Sequence, residues 1–349
     1  MPLSKHFAGR STVRWGIIGC GDVTEVKSGP AFRKSARSEL VAVMRRNGAL
    51  AEDYARRHGV ARWYDDAHAL INDPLVDAVY IATPPDSHCD YALAVAAAGK
   101  PALVEKPMAR NLAECDRMVA AFRDAGLPLY VAYYYRSLPT MVVVARLLAE
   151  RAIGRVTGVT YRMVEPHHRR GRPWRVDVAI AGSGHFLDVG SHALDLLDFL
   201  LGPLSDVEGK AANLASDYDA EDTVALTFRA PGAILGSMMW NFASDLHDDT
   251  MRIAGTEGEI VFPMYSQVPI RVTTAAGTRE VEVAFPQHVA QPFIQSVVDD
   301  LLGLGECPST GVSAARTSRV MDEVLSAYYG GRGDAFWARP ASWPGLRRR

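Results

Sequence analysis

The sequence predicts an α/β protein in two parts: an N-terminal doubly wound parallel sheet, then an α+β domain built on a large, mostly antiparallel open sheet. Three observations carry this expectation. Short, nearly all-apolar runs alternate with helical patterns over the first third of the chain. Beyond about residue 137 the apolar residues change to a period of two. The 349 residues hold two domains at roughly 150 residues each.

In chain order, residues 13–19 read as a buried strand, with further strands at 39–44, 78–82, 102–104 and 129–132. Helical stretches at 49–58, 90–98 and 112–125 separate them. Apolar strands joined by helices signal a parallel sheet covered on both faces, with right-handed crossovers. Gly99-Lys100-Pro101 and Gly126-Leu127-Pro128 stop helices just before strands, which supports the order. A helix at 140–150 then leads into strands at 156–163, 222–229, 233–240, 251–254, 270–273 and 281–285. In the first of these, Thr157, Val159, Tyr161 and Met163 share one face. Turns at Pro231-Gly232, at 255–258 and at Gly277 argue for antiparallel pairing. Helices at 188–201, 291–304 and 312–329 are expected to cover one face of this sheet. The open face needs a cover, for which a partner subunit is the obvious candidate. The expected division is 1–135, 136–330 and a tail, 331–349, pinned by Trp337 and Trp343.

Composition narrows the function. The chain is 48% hydrophobic and 22% charged, enough for a sizeable core, and its formal net charge of -2 argues against nucleic acid or an anionic membrane as partner. The four cysteines (Cys20, Cys89, Cys115, Cys307) form no CxxC pair, so neither a disulfide scaffold nor a zinc ribbon is expected. The opening residues lack the apolar stretch of a secretory signal, and no run approaches ~18 apolar residues. The expectation is a soluble, cytoplasmic protein.

Chemistry concentrates at the ends of the N-terminal strands. Gly19-Cys20-Gly21-Asp22-Val23-Thr24 joins the first strand to the first helix, and its glycines allow a tight turn and close approach to a pyrophosphate. Thr24 stands where GxGxxG has its third glycine. At the end of the second strand the chain reads Met44-Arg45-Arg46-Asn47, without the carboxylate that binds an unphosphorylated ribose. Two guanidinium groups suit a 2′-phosphate, so NADP(H) is expected to be preferred, with NAD(H) possible. Thr83-Pro84-Pro85 and His88 follow the third expected strand, where rigid prolines suit a wall against the cofactor, although His88 also reads as an ordinary helix-start residue. Glu105-Lys106-Pro107 follows the next; a strand-end ammonium can polarise a carbonyl or take a proton from a hydroxyl.

In the second domain, 182–192 (Gly-Ser-Gly-His-Phe-Leu-Asp-Val-Gly-Ser-His) enters a helix, with Asp188 and His192 four apart on one face and His185 and Asp195 near them. This face offers either an acid/base pair or a helix cap with a core histidine. A metal reading of His185, Asp188 and His192 lacks a completing cluster, so no metal is expected.

Together the glycine turn, Thr83-Pro84-Pro85 with His88, Glu105-Lys106-Pro107 and the Gly-x-Gly-x-x-x-Asp-x-Gly-x-His run resemble the glucose–fructose oxidoreductase / inositol dehydrogenase / rhizopine catabolism protein (Gfo/Idh/MocA) family of NAD(P)-dependent oxidoreductases. The resemblance runs from Val13 to about Tyr329. It implies a Rossmann domain, and the residues expected to bind the cofactor are Gly19, Cys20, Gly21, Asp22, Val23, Arg45, Arg46, Thr83, Pro84, Pro85, His88, Glu105 and Lys106. It also implies catalysis by Lys106, Asp188 and His192, and a cis Lys106–Pro107 bond. Members are typically homo-oligomers through the open sheet face, so a homodimer or homotetramer is expected. Tyr134-Tyr135-Arg136 stands where many relatives carry Asn-Arg-Arg, and Ser183 interrupts the usual glycine run. Tyr135, Arg136, His167, Trp174 and Arg175 join the three catalytic residues as expected substrate contacts, since an indole suits a sugar ring and the cations suit hydroxyl or carboxylate groups. The expected reaction is hydride transfer to or from a hydroxyl or carbonyl carbon of a sugar or polyol. Its competitors are a silent dinucleotide sensor, which has no need of all three catalytic residues, and a metal-dependent sugar isomerase or lyase.

Overall fold

The computed structural model describes residues 6–166 and 173–346. The chain divides into two compact units: Met1–Ala109, Glu114–Leu138 and Pro286–Ala315 in the first; Arg110–Ala113, Pro139–Phe285 and Arg316–Arg349 in the second.

The first unit carries β1 (Val13–Ile18), α1 (Asp22–Val26), α2 (Ser28–Lys34), β2 (Ser38–Met44), α3 (Gly48–His58), β3 (Arg62–Tyr64), α4 (Ala67–Ile71), β4 (Ala78–Ile81), α5 (His88–Ala97), β5 (Ala102–Val104), α6 (Leu112–Asp124, begun in the second unit) and β6 (Leu129–Val131). Its six strands are all parallel, in the order β3-β2-β1-β4-β5-β6. The direction of winding therefore reverses between β1 and β4, where sheets of this kind bind ligands at the carboxyl ends of their strands. Trp15, Phe32 and Tyr80 centre the core, with successive ring centroids 5.0 Å apart.

The second unit follows with α7 (Pro139–Ala149), β7 (Val156–Val164), α8 (Val178–Ala181), α9 (Ser191–Leu201), β8 (Ser205–Ala212), β9 (Thr223–Ala230), β10 (Ile234–Asn241), β11 (Asp248–Gly255), β12 (Gly258–Phe262), β13 (Ile270–Thr274) and β14 (Gly277–Val281). Its eight strands lie in the order β14-β13-β12-β11-β7-β10-β9-β8, antiparallel except for β10 beside β7. Val159, Tyr161 and Met163 are buried, whereas Thr160 and Arg162 on the opposite face are exposed, as period-two alternation requires. Among the described residues, no helix is long and apolar enough to cross a membrane.

Two elements depart from expectation. The helix expected to cover the second sheet, α10 (Gln291–Leu302), belongs to the first unit, where Phe293, Ile294, Val297, Val298 and Leu301 join the core formed by β1 and α2. The last strand lies at β14 rather than at 281–285. A two-residue turn pairs Thr274 with Gly277, which takes φ +122°, and this pins the register four residues earlier. The last helix is α11 (Gly311–Tyr329).

The ends of α1 and α3 are tied by charge. Glu25 accepts hydrogen bonds from Arg57 at 2.6 Å and 3.0 Å and lies 2.7 Å from the His58 ring nitrogen. Arg57 foremost holds the Glu25 carboxyl down at about 2. A depressed acid stabilises the fold above its ordinary range and loses that contribution as pH falls through its folded value. Because the cluster is about one-third exposed, solvent screening reduces the effect to about 1 kcal/mol. Glu25→Gln should therefore cost about that much at pH 7 in urea unfolding, with the gap closing between pH 5 and 2. A gap independent of pH contradicts the assignment.

Candidate active site

The glycine turn lies at the carboxyl end of β1. Gly19 has φ +92°, and a Cβ there would stand 2.9 Å from Thr83 Cγ2 and 3.0 Å from the Ala82 carbonyl carbon, so only glycine lets the β1 and β4 turns adjoin. Gly21 opens α1 with nothing within 4 Å of its would-be Cβ, leaving its backbone approachable above Asp22 and Val23. The missing third glycine is accommodated rather than simply lost. Thr24 is buried, its hydroxyl donates to Gly21 O at 2.7 Å, and its carbonyl accepts from Tyr54 Oη at 3.0 Å. Close packing is supplied instead by Gly29, whose Cβ would lie 2.1 Å from Thr24 O. Cys20 is buried, which pushes its thiol up to about 11, so it stays neutral in the turn. This cradle fits a dinucleotide pyrophosphate.

The neighbouring strand ends carry the other expected residues. After β2, Arg45 is half-buried and Arg46 exposed, and no carboxylate among the described residues forms an ion pair with either. Asn47 caps α3 by accepting from Leu50 N at 3.3 Å. After β4, Thr83, Pro84 and Pro85 lead into a short 3-10 turn in which Ser87 Oγ donates to Thr83 Oγ1 at 2.7 Å. His88 departs from its expected place on the cofactor wall. It is fully buried, with Nε2 2.7 Å from Thr83 O and Nδ1 3.1 Å from Pro107 O, so it fastens the β4 and β5 turns together; burial lowers its pKa.

After β5, Glu105 accepts from Tyr80 Oη on one oxygen and from Lys106 N at 3.1 Å on the other. The Lys106–Pro107 peptide is cis and Lys106 is half-buried. Beyond β6, Tyr134 and Tyr135 stack at 4.8 Å. Tyr135 and Arg136 are both buried, and Arg136, expected to meet substrate, is only 4% exposed and donates to Pro308 O at 3.0 Å. A guanidinium so buried is held by backbone acceptors, which makes Arg136 an anchor for the 308 segment.

In the second unit, Trp174, Arg175 and Asp188 form one chain of contacts. The Arg175 guanidinium carbon lies 4.4 Å from the Trp174 ring centroid, and its Nε donates to Asp188 Oδ2 at 3.0 Å. His167 lies outside the described residues. Asp188 sits in a π-helical turn, Phe186–Gly190, that leads directly into α9 and His192. Such turns recur at functional sites because they take an extra residue and re-aim side chains. Gly190 makes room for it, since a Cβ there would be 2.5 Å from the Phe186 ring.

The two residues expected near Asp188 and His192 also have contacts elsewhere. His185 packs beside Phe242 and Tyr218, with centroids at 5.6 Å and 6.2 Å, while Asp195 is fully buried and accepts from Thr317 Oγ1 at 3.3 Å. Among the described residues, no three His, Cys, Asp or Glu side chains gather as a metal ion requires.

Tyr265 was not legible from the sequence. Its ring meets His192 edge-on at 6.4 Å, its hydroxyl donates to Val189 O at 2.7 Å, and it remains 41% exposed. Asp249 holds its loop by accepting from Met264 N at 3.0 Å and Tyr265 N at 2.6 Å. The loop carries no motif, so only the folded chain brings Tyr265 to His192.

A parallel sheet with a dinucleotide cradle at its reversal point, followed by this second unit, has close counterparts among known proteins. Residues 13–133 match the oxidoreductase family with an NAD-binding Rossmann fold, and residues 141–261 match the Gfo/Idh/MocA C-terminal domain. The chain is 36% identical over 319 residues to oxidoreductase P35 of Formosa agariphila, covering 89% of this chain and 98% of that protein. It is 32% identical over 255 residues to trans-1,2-dihydrobenzene-1,2-diol dehydrogenase of Sus scrofa, covering 70% and 72%. A solved structure of levoglucosan dehydrogenase with NADH and levoglucosan shares the fold at a TM-score of 0.82 and 24% identity, covering 90% and 96%. The protein is an NAD(P)-dependent oxidoreductase. It belongs to the Gfo/Idh/MocA family.

Proposed function

We propose that the protein moves a hydride between NADP(H) and a hydroxyl or carbonyl carbon of a sugar or polyol. The observation that carries this reading is the connected set Trp174–Arg175–Asp188 on the turn leading to His192. An exposed indole edge, a cation and a carboxylate suit a hydroxylated ring. The relatives' names agree with that class: one is named for a 1,2-diol and another for levoglucosan.

When bound, the nicotinamide supplies the hydride chemistry. Lys106 hydrogen-bonds the reacting oxygen, and Glu105, itself held by Tyr80, fixes the Lys106 backbone. His192 exchanges the proton and Asp188 orients it, while Arg175 holds Asp188 in place. Among the described residues no carboxylate pairs with Arg45 or Arg46, which supports NADP(H) over NAD(H). A second copy of the chain is the proposed cover for the open sheet face, where Leu235 is 60% exposed beside Arg229, Arg252 and Glu208 around a groove of about 630 Å³.

The test is a thermal-shift comparison of NADP+ with NAD+, followed by turnover on sugars and polyols with the better cofactor. Stabilisation by NADP+ with reduction of the cofactor by at least one sugar is expected. Tight cofactor binding without turnover on any of them overturns the reading in favour of a sensor.

A further inference from the structure

The C-terminal tail places one guanidinium where two functional stretches of backbone meet. Arg332 lies just beyond α11, and its side chain is 1% exposed. Its Nη1 donates to Gly182 O at 2.7 Å, its Nη2 to Arg110 O at 2.6 Å and its Nε to Asp322 Oδ1 at 2.6 Å. The plane rests on aromatic rings, 4.3 Å from the Phe336 centroid and 5.1 Å from that of Tyr329. All of these residues lie in the second unit.

The two carbonyls are not arbitrary. Arg110 stands four residues beyond Lys106, and Gly182 stands six residues before Asp188. The two backbones press together, since Gly182 has φ +86° and a Cβ on it would fall 2.6 Å from Arg110 O. No side chain fits at Gly182, and both carbonyls accept from the Arg332 guanidinium. Asp322 completes the arrangement by accepting from Leu112 N at 2.8 Å.

A second fastening lies one residue further on. Buried Glu221 accepts from Ser183 Oγ at 2.9 Å and Gly184 N at 3.1 Å, and its other oxygen takes the Tyr329 hydroxyl. Gly184 approaches so closely that a Cβ would lie 2.3 Å from Glu221 O. The entrance to the π-helical turn is therefore gripped from both sides.

We propose that Arg332 is a positioning residue for catalysis: its guanidinium sets the backbone that leads into Asp188 and His192, and the backbone that leaves Lys106, from a tail that holds none of the three. The inference rests on the roles assigned above to those residues. A buried Arg holding two carbonyls and a carboxylate uses its planar fork, which Lys cannot reproduce.

The test compares Arg332→Met and Arg332→Lys with Val272→Ala, a buried truncation in β13 chosen to match their loss of thermal stability. With Arg332→Met, kcat is expected to fall at least thirtyfold, with the cofactor KM unchanged and the midpoint of the kcat–pH profile moved by about half a unit or more. Arg332→Lys should recover part of the loss, ending three- to tenfold below the unmodified enzyme. Val272→Ala should leave kcat and the pH profile intact. Full kcat with an unmoved pH profile in either Arg332 variant overturns the proposal, and if the Met variant does not fold the Lys variant decides alone. Equal losses in Val272→Ala overturn it too, since the effect then follows stability. His192→Ala separates the two ideas. Turnover retained there removes the role given to His192, whereas an inactive His192→Ala beside fully active Arg332 variants removes only this inference.

Discussion

Lys106→Ala lowers turnover by a hundred- to ten-thousandfold while the cofactor still binds. This range is what a positioned acid/base or hydrogen-bonding group contributes, about 3–5 kcal/mol of transition-state stabilisation. The structure gives reasons to expect the upper half. Lys106 leaves the carboxyl end of β5, beside the reversal of the sheet, and its own N–H is held by Glu105 at 3.1 Å. Glu105 is in turn fixed by Tyr80 from the core, so the ammonium starts from a rigid base. Alanine removes the ammonium without disturbing that base or the glycine cradle. Cofactor affinity, followed by fluorescence or thermal shift, should therefore change little, and the loss should fall on kcat. Near-normal turnover, or a loss confined to cofactor binding, contradicts the role.

Arg45→Asp combined with Arg46→Ala should reverse cofactor choice. In the unmodified protein the two cations have no carboxylate partner among the described residues, so a 2′-phosphate meets them without first displacing an acid. A partly exposed bidentate contact is worth roughly 1.5–3 kcal/mol, or a ten- to hundredfold preference for NADP(H). The aspartate removes that attraction and adds repulsion of the phosphate, while accepting hydrogen bonds from the ribose hydroxyls of NAD(H). The ratio of kcat/KM for the two cofactors should swing by a hundredfold or more. The native preference should also shrink as salt rises, because the contact is ionic and near the surface. Equal affinities in the unmodified protein contradict this reading.

What the sequence made legible follows from how local each signal is. The parallel strands announce themselves because each is apolar on both faces; β1, β2, β4, β5 and β6 all fall where their runs lie. The edge strands β3 and β8 were silent. Arg62–Tyr64 is short and largely exposed, and Ser205–Ala212 alternates polar residues with glycine and alanine. The pattern of Phe293, Ile294, Val297, Val298 and Leu301 shows that α10 buries one face but carries no information on which sheet receives it. Among the candidate site residues, the glycine turn and Lys106 stand out in the sequence because motif and strand end coincide, and Asp188 and His192 because a glycine-bounded run enters a helix. Burial decided the rest. Nothing in the order of residues distinguishes an Arg136 that meets ligand from one that holds Pro308, or brings Tyr265 to His192.

The route of α10 has a consequence for the order in which the protein is made. When synthesis has reached Leu138, every strand of the parallel sheet exists, yet the layer that Phe293, Ile294 and Val297 complete is more than a hundred residues away. The nascent first unit must therefore wait, with part of its apolar surface uncovered, until the whole intervening sheet has emerged. Its closure is a long-range event, since the two parts of the core are separated by the second unit's Pro139–Phe285 stretch. The cofactor cradle and the β14 edge, although they lie in separate units, thus become part of one maturation sequence, and the cradle's supporting core is finished only after the later-made sheet.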